Sequence, residues 1–222
     1  MNFTFGIITH KDSGNDVTRV LHSIIQDGCK AHAYIQLIVI GGKYLNDPRL
    51  TYVPFDETIK NGWITKKKNI VTQLAQYENI VYMHDYIELM PGWFEGFNRF
   101  GDNWNVCMNP IQDQDGNRFR DWVAWDDPEF GSPGLIKEKW CPPEGLPTTG
   151  SMTPVPYSYN KTEHMYVSGA YFVAKQTFMK SCPLNEDLVW GEGEDVEWSY
   201  RARENWIYRM NPLSTVRFNK AK

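Results

Sequence analysis

The sequence predicts an α/β protein built on an open, mostly parallel sheet with helices on both faces. Three observations carry this. Strand-like apolar runs alternate with helix-period segments over the first 90 residues. Those runs are continuously apolar, as strands covered on both faces require. The length of 222 residues, with 41% hydrophobic and 23% charged composition, suits one globular domain.

In chain order, Phe3–Ile8 reads as the first buried strand. Residues 13–27 follow with Val17, Val20, Leu21, Ile24 and Ile25 on one helical face; Ser13 or Asn15 can cap the start, and Gly28 marks the stop. Leu37–Ile40 is an uninterrupted apolar strand ending in Gly41-Gly42, and Thr51–Pro54 is a short strand. Residues 64–77 read as a second helix with Ile70, Leu74 and Tyr77 inward and at least two of Lys66, Lys67 and Lys68 solvated. Ile80–Met83 is the next buried strand, and the β-α-β-β-α-β order favours parallel pairing. Residues 101–160 break this rhythm with little periodicity, the mark of a functional loop. Within them, Pro142–Tyr159 reads as a lid. Regularity returns with a strand at Tyr166–Ala174, a short helix at Lys175–Lys180 and a helix over 194–205.

Composition removes several functions. A formal charge of −4 supplies no field to attract nucleic acid. No apolar run approaches the ~18 residues of a membrane span, and the N-terminus lacks the basic start and apolar block of a secretory leader. Cys29, Cys107, Cys141 and Cys182 are scattered without a C-x-x-C pair, which fits free thiols and a cytoplasmic location. The aromatic share of 14%, with nine Trp, exceeds what a core needs and suggests a site that stacks flat rings such as sugars or bases.

Open α/β sheets bind ligands beyond the carboxyl ends of their strands. The residues there are Thr9-His10-Lys11, Gly41-Gly42-Lys43, His84-Asp85-Tyr86 and, before the last helix, Trp190-Gly191-Glu192-Gly193-Glu194-Asp195. All four groups are expected on one rim. Neither G-x-G-x-x-G nor G-x-x-x-x-G-K-[ST] is present, so dinucleotide and P-loop chemistry are not expected.

The segment IVYMHDYIELMPGW resembles the strand, acidic motif and P-G-W of family 2 glycosyltransferases with the GT-A (Rossmann-like) fold, and Lys67-Lys68-Asn69 sits where that family commonly has A-R-N. YVSGAYFVAKQTFMKSCPLNEDLVWGEGEDVEWSYR is similar to the galactosyltransferase pattern that ends in W-G-x-G-G-E-D. The resemblance covers roughly residues 1–95 and 163–205. It implies a soluble nucleotide-sugar transferase in one domain: a nucleotide-sugar-binding half (1–100), an irregular acceptor or lid region (101–160) and a catalytic closing segment (161–222).

On that resemblance Thr9, His10, Lys11, Gly41, Lys68, His84, Asp85, Tyr86, Gly169 and Trp190 hold the donor, a UDP-linked sugar. Asp85, joined by His164, holds Mn²⁺ or Mg²⁺ on its diphosphate. Counted back from Pro91-Gly92-Trp93, however, the family's metal-binding Asp falls on Tyr86, a poor ligand. Asp85 then binds the metal from one position off, or Lys66, Lys67 or Lys68 supplies the positive charge without metal. An inverting transfer needs a base for the acceptor hydroxyl. By motif position that base is Asp195, with Glu194 binding the acceptor or fixing the loop. A helix N-terminus there keeps Asp195 ionised but weakens it as a base. Arg201 can brace the acids, reach the diphosphate or stand as a solvated helix charge, and Trp122, Trp125, Asp126 and Asp127 suit a carbohydrate subsite for the acceptor or a loop held down by its tryptophans. The competing reading, supported by Tyr86, is a catalytically silent sugar-nucleotide or glycan-binding module.

Overall fold

Phe3–Ile8 is fully buried and forms β1, which lies between β4 and β2 in the main sheet. The computed structural model describes residues 1–15, 17–124, 133–134, 148–149 and 153–220. After β1 come α1 (Val17–Lys30), β2 (Ile35–Ile40), β3 (Leu50–Val53), α2 (Ile64–Leu74), β4 (Asn79–His84), β5 (Ile87–Leu89) and α3 (Trp93–Phe100). The middle of the chain contributes only short strands: β6 (Val106–Met108), β7 (Ile111–Gln112), β8 (Val123–Ala124), β9 (Pro133–Gly134), β10 (Thr148–Thr149) and β11 (Thr153–Pro154). The last part holds β12 (Met165–Tyr166), β13 (Tyr171–Lys175), α4 (Gln176–Ser181), α5 (Glu194–Ala202), β14 (Tyr208–Met210) and β15 (Val216–Phe218).

Seven strands make the main sheet in the order β14-β6-β13-β4-β1-β2-β3. All neighbours run parallel except at β13, which is antiparallel to both β4 and β6. The expected α/β class with a mostly parallel sheet is therefore the observed one. Side chains alternate across β1 with the two-residue period of a strand. Phe3 and Phe5 meet Trp93 and Phe94 of α3, with ring centroids 5.0–5.7 Å apart. Gly6 turns to the other face, where a Cβ would lie 2.4 Å from Val71 of α2. Helices thus cover both faces, and the two strands that reach the site, β1 and β4, are pinned from both sides.

Several expectations need correction. Helix α1 runs past Gly28 to Lys30; Gly28 is buried because a Cβ there would lie 2.1 Å from Ile35 Cδ1. Ser13 and Asn15 turn to Asp85. Helix α2 buries Lys67, Lys68 and Val71, while Leu74 is exposed, so only Lys66 of the lysine run is substantially solvated. The predicted strand Tyr166–Ala174 is two strands in different sheets, β12 and β13, with a turn at Ser168–Ala170 between them. Strand β15 pairs antiparallel with β5 and parallel with β7, which carries the C-terminal residues back over the end of β4. Among the described residues no helix is long and apolar enough to cross a membrane.

Candidate functional site

Two cavities open at the carboxyl ends of β1 and β4. The first, about 430 Å³, is walled by Thr9, His10, Ser13, Asn15, Lys67 and Asp85 among others. The second, about 380 Å³, is walled by Tyr166, Gly169, Glu194, Asp195 and Arg120 among others. His84, Tyr86, Trp190 and Lys220 line both and form the saddle between them. Each volume lies in the range of small-molecule sites.

The first cavity is organised around Asp85. Leaving β4, the backbone N–H of Asp85 donates to Ile8 O at 3.1 Å. Its carboxylate then accepts from Thr9 Oγ1 and Ser13 Oγ, each 2.6 Å from Oδ2, and from Asn15 Nδ2, 2.9 Å from Oδ1. Both oxygens are engaged by protein donors. Beside them Lys67 is 1% exposed; its ammonium donates to Thr9 O at 2.7 Å and is paired with Glu57. Burial lowers the Lys67 pKa and the Glu57 pair opposes that shift. His10 stands at the rim, with Nε2 3.2 Å from Asn61 Oδ1.

The second cavity is organised around adjacent acids at the start of α5. Gly193 precedes them at φ +71, a left-handed turn that glycine adopts without strain. Glu194 is 5% exposed and Asp195 is partly buried. Gly169 N–H donates to Asp195 Oδ2 at 2.8 Å. A Cβ on Gly169 would stand 2.8 Å from Asp195 Oδ2 and 3.0 Å from Glu194 Oε1, so only glycine admits the acids this close. In the next peptide, Gly169 O accepts from Lys68 Nζ at 2.8 Å. Lys68 is fully buried, and its charge is felt by both acids.

Burial raises Asp195 above the ordinary carboxylate range, although the Gly169 N–H and Lys68 favour its ionised form. Glu194 is raised to about 7 by burial first and by the Asp195 charge second. Groups held off their ordinary values by desolvation and a charged neighbour, in a cleft, are characteristic of chemical sites. On the saddle, burial and the nearby Lys68, Lys67 and Lys220 hold His84 well below its ordinary value, so the ring is neutral. It stacks on Tyr86 at 5.2 Å and 20°. Burial, then the charges of Asp85, Glu194 and Asp195, push the Tyr86 phenol upward, so Tyr86 feels the acids of both cavities.

Thr9, His10, His84, Asp85, Tyr86, Gly169, Trp190, Glu194 and Asp195 thus come together as expected from their sequence positions. Others do not. Gly41 is buried behind Thr9, where a Cβ would lie 2.6 Å from Thr9 O, so that loop supports the wall and does not line it. Lys11 is exposed outside both cavities. Lys68 lies beneath the site. His164 sits in a 3-10 turn (Thr162–His164) and lines neither cavity. Arg201 binds Glu197 and the Pro183 carbonyl, away from the acids. The Trp122 ring is buried 4.6 Å from Tyr208 and offers no free stacking face; Trp125, Asp126, Asp127, Cys141 and half of Pro142–Tyr159 (142–147 and 150–152) lie outside the described residues.

Sequence reasoning missed Ser13, Asn15, Arg120 and Lys220 as wall residues and Glu57 behind them. Ser13 and Asn15 follow directly on Thr9 and carry ordinary hydrogen-bonding groups, a signal that goes equally to a helix cap. Lys220 carries no local signal.

The donor set does not fit a metal at Asp85. Its oxygens are taken by three donors, Tyr86 is a phenol held protonated, and among the described residues no three His, Cys, Asp or Glu side chains converge.

The sequence matches no protein-family model and no curated protein sequence. Solved structures do match. GalNAc-T7, crystallised with UDP, GalNAc and Mn²⁺, superposes over 98% of this chain and 43% of its own, with 16% identity and a TM-score of 0.65. TarS from S. aureus superposes over 99% of this chain and 60% of its own 1–349 fragment, with 15% identity and a TM-score of 0.61. The same fragment with UDP-GlcNAc gives 0.62 at 14% identity. The chain spans about 43% of the GalNAc-T7 chain, 60% of the TarS 1–349 fragment and 37% of the longer TarS chain. With its seven-stranded, mostly parallel sheet and these superpositions, the chain has the GT-A fold.

Proposed function

We propose that the protein is an inverting glycosyltransferase that moves a sugar from a nucleotide diphosphate sugar, UDP-linked, to a hydroxyl of a glycan or small acceptor. One observation carries this reading: a cavity rich in hydrogen-bonding groups joins, across a shared aromatic saddle, a cavity holding two carboxylates with raised pKa. The first offers hydroxyl, amide and imidazole groups to a nucleoside. The second offers a base. That GalNAc-T7 is solved with UDP and TarS with UDP-GlcNAc supports the choice of donor.

Asp195 takes the proton of the acceptor hydroxyl as its oxygen attacks the anomeric carbon from the face opposite the diphosphate. The bond from that carbon to the diphosphate oxygen breaks, and its electron pair leaves with the nucleotide. Burial makes Asp195 a stronger base than an exposed aspartate, because general bases work best near the operating pH. Gly169 N–H keeps one oxygen fixed. Glu194 shares the cavity as an acceptor contact, and Lys68 positions both acids from below.

Thermal shift against a panel of nucleotide sugars identifies the donor, because a ligand that prefers the native state raises its melting point. Asp195→Asn is then expected to bind donor as wild type does while turnover to free nucleotide falls about 10²-fold or more. Product stereochemistry read by NMR is expected to be inverted at the anomeric carbon. Wild-type-like turnover by this variant, or retained configuration, removes Asp195 from the role. Donor binding without any transfer by wild type favours the silent binding module, the outcome Tyr86 would favour.

A further inference from the structure

Departure of a nucleoside diphosphate builds negative charge, and a positioned cation at that place is usually the largest catalytic contribution. Asp85 is occupied by Thr9, Ser13 and Asn15. Of the three lysines considered from sequence, Lys66 pairs with Glu186, Lys67 is spent on Glu57 and Thr9, and Lys68 lies fully buried against the Gly169 carbonyl. None of them faces the saddle with a free ammonium.

Lys220 does. It lines both cavities, and its Nζ lies 5.6 Å from the Tyr86 ring centroid and 5.6 Å from that of Trp190. Its place is built by the backbone: β15 pairs antiparallel with β5 in the register Phe218↔Ile87, and Asn219 N–H donates to Tyr86 O at 2.7 Å. Lys220 therefore follows directly onto the residue that stands where an acidic metal ligand was expected. Ammonium groups within about 6 Å of aromatic faces are held by the ring quadrupole while their hydrogen-bond donors stay available. A lysine is also an effective point-charge partner for phosphate.

Resting on the transferase reading above, we infer that Lys220 is the cation that meets the diphosphate as it leaves, in a reaction that needs no divalent metal. The bond from the anomeric carbon to the diphosphate oxygen breaks, its electron pair stays on that oxygen, and the Lys220 ammonium, clamped between Tyr86 and Trp190, balances the new charge. The acceptor proton goes to Asp195, so atoms and charge balance without a further reactant. Tyr86 belongs to this arrangement: an aspartate there would bind the lysine directly and neutralise it.

Calorimetric titration tests this with two probes, UDP and uridine, in metal-stripped buffer containing EDTA and again with Mn²⁺, on wild type, Lys220→Met and Lys220→Arg. Wild type is expected to bind UDP within about twofold equally in both buffers. Lys220→Met should weaken UDP about tenfold and leave uridine unchanged, as loss of one charge-assisted phosphate contact implies. Lys220→Arg should restore most of the binding, and kcat should follow the same order in EDTA. Tightening of UDP by Mn²⁺ tenfold or more, or undiminished UDP binding by Lys220→Met, overturns the inference and leaves the transferase reading standing. Failure of wild type to bind either probe in both buffers sinks that reading and this inference together.

Discussion

The two cavities treat their carboxylates in opposite ways. Asp85 receives three hydrogen bonds from side chains that follow β1, on both of its oxygens. Asp195 and Glu194 are buried side by side, and Asp195 is met by backbone alone, the Gly169 N–H on Oδ2 and the Val196 N–H on Oδ1, with the charge of Lys68 beneath. A carboxylate tied to three side-chain donors shapes a wall, whereas one whose pKa burial holds up in a cleft is ready to take a proton. The saddle of His84, Tyr86, Trp190 and Lys220 separates the two kinds.

Removing the charge from Asp85 is the most damaging way to break this contrast. In Asp85→Asn the amide presents donors where Thr9, Ser13 and Asn15 already donate. A loss of about 2–4 kcal/mol of folding stability is expected, read by urea denaturation, since leaving buried groups unpaired costs the desolvation of each. A loss under about 0.5 kcal/mol would show that Asp85 is not a structural anchor, and would reopen its use as a ligand.

Gly169→Ala sharpens the comparison from the other side. The added methyl meets Asp195 Oδ2 and Glu194 Oε1 and displaces the acids while leaving the Asp85 network untouched. Turnover is expected to fall about tenfold or more, because small misplacements of catalytic groups are costly. The urea midpoint should move much less than in Asp85→Asn. Equal activity would mean that the position of the acids is not critical.

The smallest effect is the pH dependence of stability. Glu194 has a folded-state pKa of about 7, above its ordinary value, so between those values the folded chain binds more protons than the unfolded one. Stability from this group is therefore complete below the ordinary carboxylate range and is lost as pH rises toward about 7. Over that interval Glu194→Gln should flatten a decline of roughly 1–3 kcal/mol in wild type, measured by urea titration from acid to neutral pH. A wild-type stability that rises through the same window, with the variant unchanged, would contradict the burial argument.

How much of this was legible in the sequence differs by region. The strands β1, β2 and β4 announce themselves because both faces are covered, and continuous apolar runs have few other uses. Glu194 and Asp195 were legible because Trp190, Gly191 and Gly193 surround them with an unusual local pattern. The burial of Lys67 and Lys68 was not, since three successive lysines look the same in solvent as in a satisfied interior: Lys67 is stable there only through Glu57 and Thr9, and Lys68 through Gly169. Helix α3 was missed as an element although its Trp93 and Phe94 form much of one sheet face; it is short, and its neighbours Pro91-Gly92 read first as a motif. Sequence alone leaves opposing pulls on the ionisation of Asp195, and burial in the folded protein raises its pKa.

Local pattern by itself determined the α/β class, the alternation of the first half and the two acidic segments at the sheet rim, because periodicity and punctuation are properties of neighbours in the chain. Only the tertiary structure decided which charges are spent and which stay available. That Asp85 is claimed by Ser13 and Asn15, that Gly169 touches Asp195, and that Lys220 is delivered over Tyr86 by the pairing of β15 with β5 all depend on contacts between distant segments. The ionisation and reach of a side chain follow from what folding packs around it, and a linear reading cannot supply those neighbours.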